Sequence, residues 1–184
     1  MDSRDPDLLV PEFRGKFLHV LEICKDKGVI FVPYFTLRSP KRQGELWCQS
    51  RSPDQISQAS YTLIKSGASY LAGFLFPSLG NKGRWATNAL PGNSWHQWGE
   101  AGDCYLLVNG VAVWDASDPG YEIYAQAAIE VGLTPGKYWS KPDTDHIQLR
   151  SAPSPLDTGL TWATIDRMMQ QRFPIDAPGP SLIT

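Results

Sequence analysis

The spacing of apolar side chains predicts an amphipathic helix near the start of the chain. Between residues 11 and 27 these side chains recur at helical intervals, and Gly28 follows as a C-terminal stop. The next run, 29–35, is rich in β-branched and aromatic residues, which favours a strand. Because Pro33 within this run has no backbone N–H, we expect the strand to lie at a sheet edge or to be irregular there.

Capping and turn residues predict the elements that follow. Ser39 and Ser52 each precede a proline that suits the first position of a helix, and Gln55 completes a capping box with Ser52. Asn109-Gly110 lies between two β-rich runs and predicts a hairpin. The remaining pattern predicts a long loop at 76–93, helices at 121–131 and 161–172, and a short strand at 147–149.

These elements predict the fold class and the domain organisation. Helices and an antiparallel hairpin without alternating βαβ units indicate an α+β protein, with a small antiparallel sheet packed against helices. A chain of 184 residues is close to the length of one domain. We therefore expect one compact domain over residues 1–150 and a proline-rich C-terminal extension over 151–184 that contains one helix.

The composition excludes several classes of protein. Hydrophobic residues make up 42% of the chain and charged residues 20%, which is ordinary for a globular protein. The net charge of −2 argues against a nucleic-acid binder that neutralises phosphates. Three cysteines without a CxxC spacing indicate neither a disulfide framework nor a thiolate zinc site. The apolar stretches are too short to span a membrane and the charged start of the chain predicts no signal peptide, so we expect a soluble protein made in a cytoplasm. We also expect it to be a monomer.

Only three histidines occur in the chain, and two of them lie near carboxylates. His96 and Asp103 are seven residues apart, in a segment that we expect to run from a loop into a strand. Such a pair could bind Zn²⁺ together with a third ligand, or it could be a hydrogen-bonded pair without a metal. His146 is a candidate for the third ligand because it has acidic neighbours. His19 has no carboxylate at ligand spacing, so we expect it to be structural or exposed.

Two motifs resemble those of a known family: Ser94-x-His96-x-x-Gly99-x-Ala101-x-Asp103 and, further along, Asp143-x-x-His146. The family is that of the zinc D-Ala-D-Ala peptidases, which includes VanX- and VanY-type carboxypeptidases and the L-alanyl-D-glutamate endopeptidases used as phage endolysins. The resemblance implies a hedgehog/DD-peptidase-like fold with a zinc site in a cleft, and it makes residues 1–150 the peptidase domain. It also implies that His96, Asp103 and His146 bind Zn²⁺ and that Asp143 is the general base.

A segment upstream extends the resemblance. Arg38-Ser-x-x-x-Gln43-x-x-Leu46 is similar to a segment of the family whose arginine lies beside the substrate carbonyl. This implies that Arg38 stabilises the developing oxyanion, and the alternative is an arginine in a surface salt bridge. Gln43 and Ser94 are candidates for substrate binding, although each could instead have a structural role.

Several neighbouring positions keep more than one interpretation. Trp95 is a candidate for substrate binding, in a groove wall with Trp85 and Trp98, or for packing in the core. Asp145 is an alternative base, but alternation along a strand would point its side chain away from a metal bound by the next residue. Gln148 departs from the family pattern, so the pattern does not indicate which groups surround the metal ligands.

The resemblance implies that the substrate is the stem peptide of bacterial peptidoglycan. The general base is Asp143 where the carboxypeptidases carry Glu, and the endolysin branch uses Asp, which favours an L-Ala-D-Glu endopeptidase of the phage endolysin type. The expected absence of a signal peptide fits a phage lysin that accumulates in the host cytoplasm, or a virion-associated lysin, acting on the cell wall. The alternatives are a D-Ala-D-Ala carboxypeptidase and a zinc-containing virion or wall-binding protein without enzymatic activity.

Overall fold

The structure is a computed structural model, and it describes residues 3–174. Within this range it contains six α-helices: α1 Pro11–Asp26, α2 Pro40–Cys48, α3 Pro53–Lys65, α4 Ser69–Ala72, α5 Pro119–Glu130 and α6 Trp162–Arg172. Five strands form one sheet: β1 Ile30–Phe35, β2 Ala101–Val108, β3 Val111–Val113, β4 Thr134–Pro135 and β5 His146–Gln148. None of the helices in the described part is long and apolar enough to cross a membrane. The combination of helices with a small antiparallel sheet confirms the predicted α+β class.

The described chain divides into two compact units. The sheet unit comprises residues 3–37 and Trp98–Ser151, and it holds the whole sheet together with α1 and α5. The helical unit comprises Arg38–Gln97 and the chain from Ala152 to residue 174, and it holds α2, α3, α4 and α6. The helix predicted in the C-terminal segment is confirmed as α6, whereas residues 175–184 lie outside the described range. The division into a domain over 1–150 and an extension stays a prediction.

The core of the sheet unit lies between one face of the sheet and the helices α1 and α5. The strand order is β1-β2-β5-β4, with β3 paired to β2, and the paired strands are antiparallel. The core includes Phe13, Phe17, Phe31, Tyr121, Tyr124 and Ile147. Gly102 of β2 is required here because a Cβ at this position would lie 2.6 Å from the Phe17 ring. All three cysteines are buried and free, and burial raises the pKa of the Cys24 thiol to about 11.

Two predicted backbone features of the sheet unit are confirmed. β1 lies at one end of the strand order, and its pairing with β2 changes register between Pro33 and Phe35, where the proline cannot donate to the ladder. Asn109 and Gly110 connect β2 to β3 with φ angles of 50° and 78°. Positive φ at both residues is what a two-residue type I′ hairpin turn requires.

The helical unit begins its helices with the predicted caps. The Ser39 hydroxyl accepts a hydrogen bond from the N–H of Arg42 at the start of α2. At the start of α3, Ser52 and Gln55 form the reciprocal capping box. Since each cap satisfies N–H groups that the helix itself leaves without partners, these short sequence signals determine where both helices start.

Helix α6 packs against α4 within the helical unit. The Asp166 carboxylate accepts a hydrogen bond from the N–H of Leu71 at 2.8 Å, and the Tyr70 hydroxyl donates to the Phe173 carbonyl at 2.8 Å. Burial raises the pKa of Asp166, against the opposing effect of the N–H groups of Leu71 and Tyr70. These contacts tie the segment after Ala152 to the rest of the helical unit.

Candidate metal and active site

A histidine and an aspartate meet on adjacent strands of the sheet unit. In the register of β2 and β5, Asp103 lies opposite His146, so both side chains share one face of the sheet. The His146 Nδ1 and Asp103 Oδ1 atoms are 2.9 Å apart, although the residues are 43 positions apart in the chain. Both side chains are buried. Strand pairing therefore assembles this pair.

His96 completes a group of three side chains that could hold a metal ion. It lies in the one-turn 3₁₀ helix Trp95–Trp98 and is 2% exposed. One ligand atom from each of His96, Asp103 and His146 lies within 4.8 Å of the others. Two imidazoles and one carboxylate are a donor set of catalytic zinc sites, which keep a fourth position open for water or substrate. The donor set therefore fits the metal that the resemblance implies.

Gln148 determines how the two nitrogens of His146 are used. The Gln148 Nε2 group donates to the Arg150 carbonyl at 2.7 Å, and this fixes the amide orientation because a carbonyl oxygen only accepts. The Gln148 Oε1 atom then lies 3.1 Å from His146 Nε2 and accepts its N–H. With this proton on Nε2, the Nδ1 atom beside Asp103 is the one that can offer a lone pair to a metal.

When no metal is bound, a proton lies between His146 and Asp103. Burial lowers the pKa of His146, but the hydrogen bond to Asp103 and the charges of Asp103 and Asp143 outweigh it and raise the pKa to about 9. At neutral pH the imidazole is then protonated on both nitrogens. A metal ion has to displace the proton on Nδ1, because metal and proton use the same lone pair.

Asp143, the predicted general base, occupies an exposed turn directly before β5. The N–H of His146 donates to the Asp143 carbonyl at 3.3 Å, and the N–H of Asp143 donates to the Gly136 carbonyl at 3.0 Å. Gly136 must lack a side chain here, since a Cβ would lie 2.5 Å from the Asp143 carbonyl oxygen and 3.3 Å from the His146 Cβ. This packing holds the predicted base and the predicted ligand on one tight turn.

Asp145 lies on the same turn, and its carboxyl group hydrogen-bonds to Asp143. Burial, the charge of Asp103 and this hydrogen bond raise the pKa of Asp145 to about 8. Because β5 begins only at His146, alternation along a strand does not determine where the Asp145 side chain points. A carboxyl group that is protonated at neutral pH is a poor proton acceptor, which favours Asp143 over Asp145 as the base.

In the helical unit, Arg38 belongs to a buried hydrogen-bond network. Its Nη1 group donates to Gln43 Oε1 at 3.2 Å, and the residue is 8% exposed, so Arg38 is not the surface arginine of the alternative interpretation. Gln43 Oε1 also accepts from Gln97 Nε2 at 3.0 Å. Gln43 Nε2 donates to Thr87 Oγ1 and to the Ala89 carbonyl. The buried amide of Gln43 thus orients the Arg38 guanidinium, and substrate binding by Gln43 stays a prediction.

The other predicted substrate-binding residues differ in exposure. Ser94 is half-buried. Trp95 is 5% exposed, and its indole N–H donates to the Ala152 carbonyl at 2.9 Å. Trp85 is 62% exposed. Substrate binding by Ser94 and Trp95 stays a prediction, whereas His19 is exposed on α1, as predicted.

Two residues that the sequence interpretation missed support the predicted site residues. The Trp139 ring lies 5.1 Å from the His146 ring, centroid to centroid, and packs against it. Gln97 directly follows His96 and accepts a hydrogen bond from the N–H of Gly92, in addition to its bond within the Arg38 network. No spacing along the chain indicates Trp139, and the place of Gln97 inside the first motif was the one available signal.

The chain is similar to peptidases of known families. A family model described as VanY, D-alanyl-D-alanine carboxypeptidase, matches residues 7–117, which is more than half of the chain. The matched range includes Arg38, His96 and Asp103 and ends before the second motif. Among solved structures, the crystal structure of the Serratia marcescens L-Ala D-Glu endopeptidase ChiX is similar, with 17% sequence identity and a TM-score of 0.45 over 79% of this chain and 83% of that chain. No curated protein sequence matches.

Proposed function

The chain belongs to the VanY family of D-alanyl-D-alanine carboxypeptidases, and on this premise we propose that it is a zinc-dependent peptidase that cuts the L-Ala–D-Glu bond of the peptidoglycan stem peptide. Hydrolysis of peptide bonds in peptidoglycan is the function of the family. The proposal goes further in three respects: the dependence on zinc, the bond that is cut, and the role as a phage endolysin or virion-associated lysin. The observation that carries the proposal is the Asp103–His146 pair, whose Oδ1 and Nδ1 atoms are 2.9 Å apart within ligand reach of His96.

His96, Asp103 and His146 would hold the zinc ion. When bound, Zn²⁺ polarises a carbonyl group and makes a water molecule nucleophilic near neutral pH. Gln148 accepts the Nε2–H of His146 and so directs Nδ1 towards Asp103. Trp139 packs against the same imidazole, which restricts rotation of the ring. The chain therefore orients its ligands before a metal arrives.

Asp143 acts as the general base. Its carboxylate accepts a proton from the water that attacks the peptide carbonyl carbon, and it passes this proton to the leaving amine nitrogen as the C–N bond breaks. Its place on an exposed turn next to His146 suits this role. Because Asp is one methylene shorter than Glu, the attacking water has to lie close to the turn.

Arg38 stabilises the negative charge that develops on the substrate carbonyl oxygen. A guanidinium keeps its proton at any physiological pH, and a fixed charge accelerates the reaction most where charge grows in the transition state. The hydrogen bond from Nη1 to the buried Gln43 restrains this side chain. Less reorganisation is then needed when the substrate binds.

The proposed bond and the proposed role in a phage rest on the general base being an aspartate. Asp at position 143 resembles the endolysin branch of the wider zinc D-Ala-D-Ala peptidase family, so we propose an L-Ala-D-Glu endopeptidase that serves as a phage endolysin or a virion-associated lysin. The matching family model, described as a D-alanyl-D-alanine carboxypeptidase, supports a carboxypeptidase as the second candidate. A zinc-containing protein without activity is less favoured, since a structural metal needs neither Asp143 nor a buried Arg38.

Mass spectrometry of muropeptides released from purified cell walls tests the function and the bond. We expect fragments cut between L-Ala and D-Glu, and loss of terminal D-Ala alone would assign the carboxypeptidase instead. Asp143→Asn should retain zinc but release no muropeptides. Asp26→Asn, an exposed position at the end of α1, is the matched control and should cut like the parent. If Asp143→Asn cuts like the parent, Asp143 is not the general base. If the protein keeps its activity after treatment with a chelator, the reaction does not depend on zinc.

A further inference from the structure

The sheet face that carries Asp103 continues into a cluster of aromatic side chains. Along β2, Cys104 and Leu106 point into the core. Since successive side chains of a strand alternate between faces, Asp103 and Tyr105 both lie on the opposite face. Neighbours on one face of a strand are about 7 Å apart. Tyr105 is therefore the next side chain on the face that carries the candidate metal ligands.

Tyr105 belongs to a group of three rings that we call the aromatic platform, together with Tyr34 and Trp114. The Trp114 centroid lies 4.9 Å from that of Tyr34 and 5.4 Å from that of Tyr105, and the two tyrosine centroids are 6.5 Å apart. Tyr34 lies at the register shift of β1, and Trp114 directly follows β3. The irregular edge strand and the hairpin thus bring rings from three segments together.

The aromatic platform lies on the surface of the sheet unit. Trp114 is 48% exposed, and Tyr34 and Tyr105 are half-buried. The Arg4 guanidinium carbon lies 5.3 Å from the centroid of the Tyr34 ring. Rings that pack on one another and still leave open area form a rigid amphipathic surface, and such surface clusters commonly mark binding sites.

We propose that the aromatic platform binds the glycan of peptidoglycan, next to the stem peptide in the candidate active site; this inference rests on the proposed peptidase function. Pyranose rings present C–H groups on their faces, and these groups pack against aromatic rings. The tyrosine hydroxyls, the indole N–H and the Arg4 guanidinium offer hydrogen bonds to sugar hydroxyl and acetamido groups. The stem peptide is joined to its sugar through the first residue, so a protein that cuts after this residue has the sugar beside its active site.

Charge and size favour a glycan over a second copy of the chain. A net charge of −2 provides no general attraction to an anionic wall, so affinity has to come from specific contacts. A stable interface between proteins buries about 800 Å² on each partner, which is more than three partly exposed rings provide. Because the platform follows Asp103 on the same strand face, it lies close enough to the candidate metal ligands to contact the sugar end of such a substrate.

Isothermal titration of the full chain with a peptide-free tetrasaccharide of alternating N-acetylglucosamine and N-acetylmuramic acid tests the platform directly. We expect the parent to bind, and Trp114→Ala to bind about tenfold more weakly or worse, as truncation of a central aromatic contact does. Trp114→Phe keeps an aromatic ring, so its affinity for the tetrasaccharide should lie between those of the parent and Trp114→Ala. Tyr61→Ala, an exposed aromatic residue on α3, is the matched control and should bind like the parent.

Kinetics on two substrates add a readout that a folding defect would not produce. Trp114→Ala should raise KM for a disaccharide-linked stem peptide and leave KM for the sugar-free peptide unchanged. The proposal is overturned if the parent does not bind the tetrasaccharide, if Trp114→Ala binds it like the parent, or if this variant dissociates a dimer of the parent. Binding of the tetrasaccharide without hydrolysis of the stem peptide would support the glycan site and contradict the proposed peptidase function. Hydrolysis of the stem peptide without binding of the tetrasaccharide would support the peptidase function and contradict the glycan site.

Discussion

Two acid–base pairs connect β2 and β5 in the sheet unit, and they differ in how their polar atoms are used. Asp103 and His146 share one contact of 2.9 Å, and their side chains are 12% and 8% exposed. Just beyond the strand ends, Arg150 donates from Nε and Nη2 to the two carboxylate oxygens of Glu100, at 2.5 and 2.9 Å. The Arg150 side chain is 52% exposed.

The difference separates a potential metal site from a structural contact. Both oxygens of Glu100 accept from a guanidinium that keeps its proton, and the hydrogen bond to Glu100 raises the pKa of Arg150 further. Arg150 has no lone pair to offer a metal, so Glu100 is the only ligand that this pair could provide. His146 can lose its Nδ1 proton, and Asp103 and His146 then offer two ligand atoms side by side. The same two strands thus carry one pair in which both residues can be metal ligands and one in which a permanent cation occupies the position of the second ligand.

The largest expected effect is the loss of zinc when the metal-accessible pair is broken. Asp103→Ala removes one ligand and the partner of His146, so we expect the zinc content to fall from one ion per chain to almost none and muropeptide release to stop. Elemental analysis of the purified protein measures the first effect and mass spectrometry the second. Glu100→Gln should keep both zinc and activity. Stoichiometric zinc in Asp103→Ala would show that this pair does not bind the metal.

The pH dependence of zinc binding should also reflect His146. Because zinc needs the deprotonated Nδ1 and the pKa of His146 is raised to about 9, the affinity should increase about tenfold per pH unit up to about pH 9 and level off above it. Competition with a zinc-binding dye at several pH values measures this slope. Glu100→Gln should show the same dependence of zinc affinity on pH as the parent. An affinity of the parent that does not change with pH would contradict the proton between His146 and Asp103.

The same pKa shift predicts how stability depends on pH when zinc is removed. A group whose pKa is higher in the folded than in the unfolded chain stabilises the fold fully below its unfolded pKa, here 6.5, and this contribution is lost as the pH rises through about 9. Urea unfolding of the chelated protein should show a free energy of unfolding that decreases as the pH rises across this range. In Asp103→Asn the decrease should be smaller, because the partner that raises the pKa of His146 is gone, while the part due to Asp145, whose pKa burial raises to about 8, should remain.

Gln148 should affect zinc affinity without being a ligand. Gln148→Leu removes the acceptor of the His146 Nε2–H, and loss of such a partner weakens metal binding by about 10- to 100-fold. Gln148→Glu retains an acceptor and should restore most of the affinity. The dye competition measures both variants, with the zinc content of the parent as the reference. Equal affinity of Gln148→Leu and the parent would mean that the tautomer is determined elsewhere.

The elements of the fold were predictable where local chemistry decides them. Ser39, Ser52 and the Asn109-Gly110 turn each act within a few residues, and the structure has the helix starts and the hairpin at these positions. The division of the described chain into two units was not predicted. It depends on contacts between α6 and α4, which are distant in sequence and leave no local pattern.

The candidate site was predictable only through its motifs. Spacing alone left His96 and Asp103 open to several interpretations, and the register that places Asp103 opposite His146 comes from strand pairing over 43 residues. The role of Gln148 follows from the same pairing, since positions two apart on β5 share a face. The Glu100–Arg150 pair could not be predicted either, because Glu100 occupies a variable position of the first motif and Arg150 lies outside both motifs.

The smallest effect is expected at the Glu100–Arg150 pair. Glu100→Gln weakens an ion pair whose arginine is half in solvent, so the free energy of unfolding should fall by at most about 1 kcal/mol. The backbone bond from the Leu149 N–H to the Glu100 carbonyl stays in place and continues to join the two strands. Urea unfolding of the zinc-loaded protein measures the change, together with its zinc content. A loss of zinc in this variant would mean that the two pairs act as one unit, and that the distinction between an ion-pair contact and a metal site on these strands is wrong.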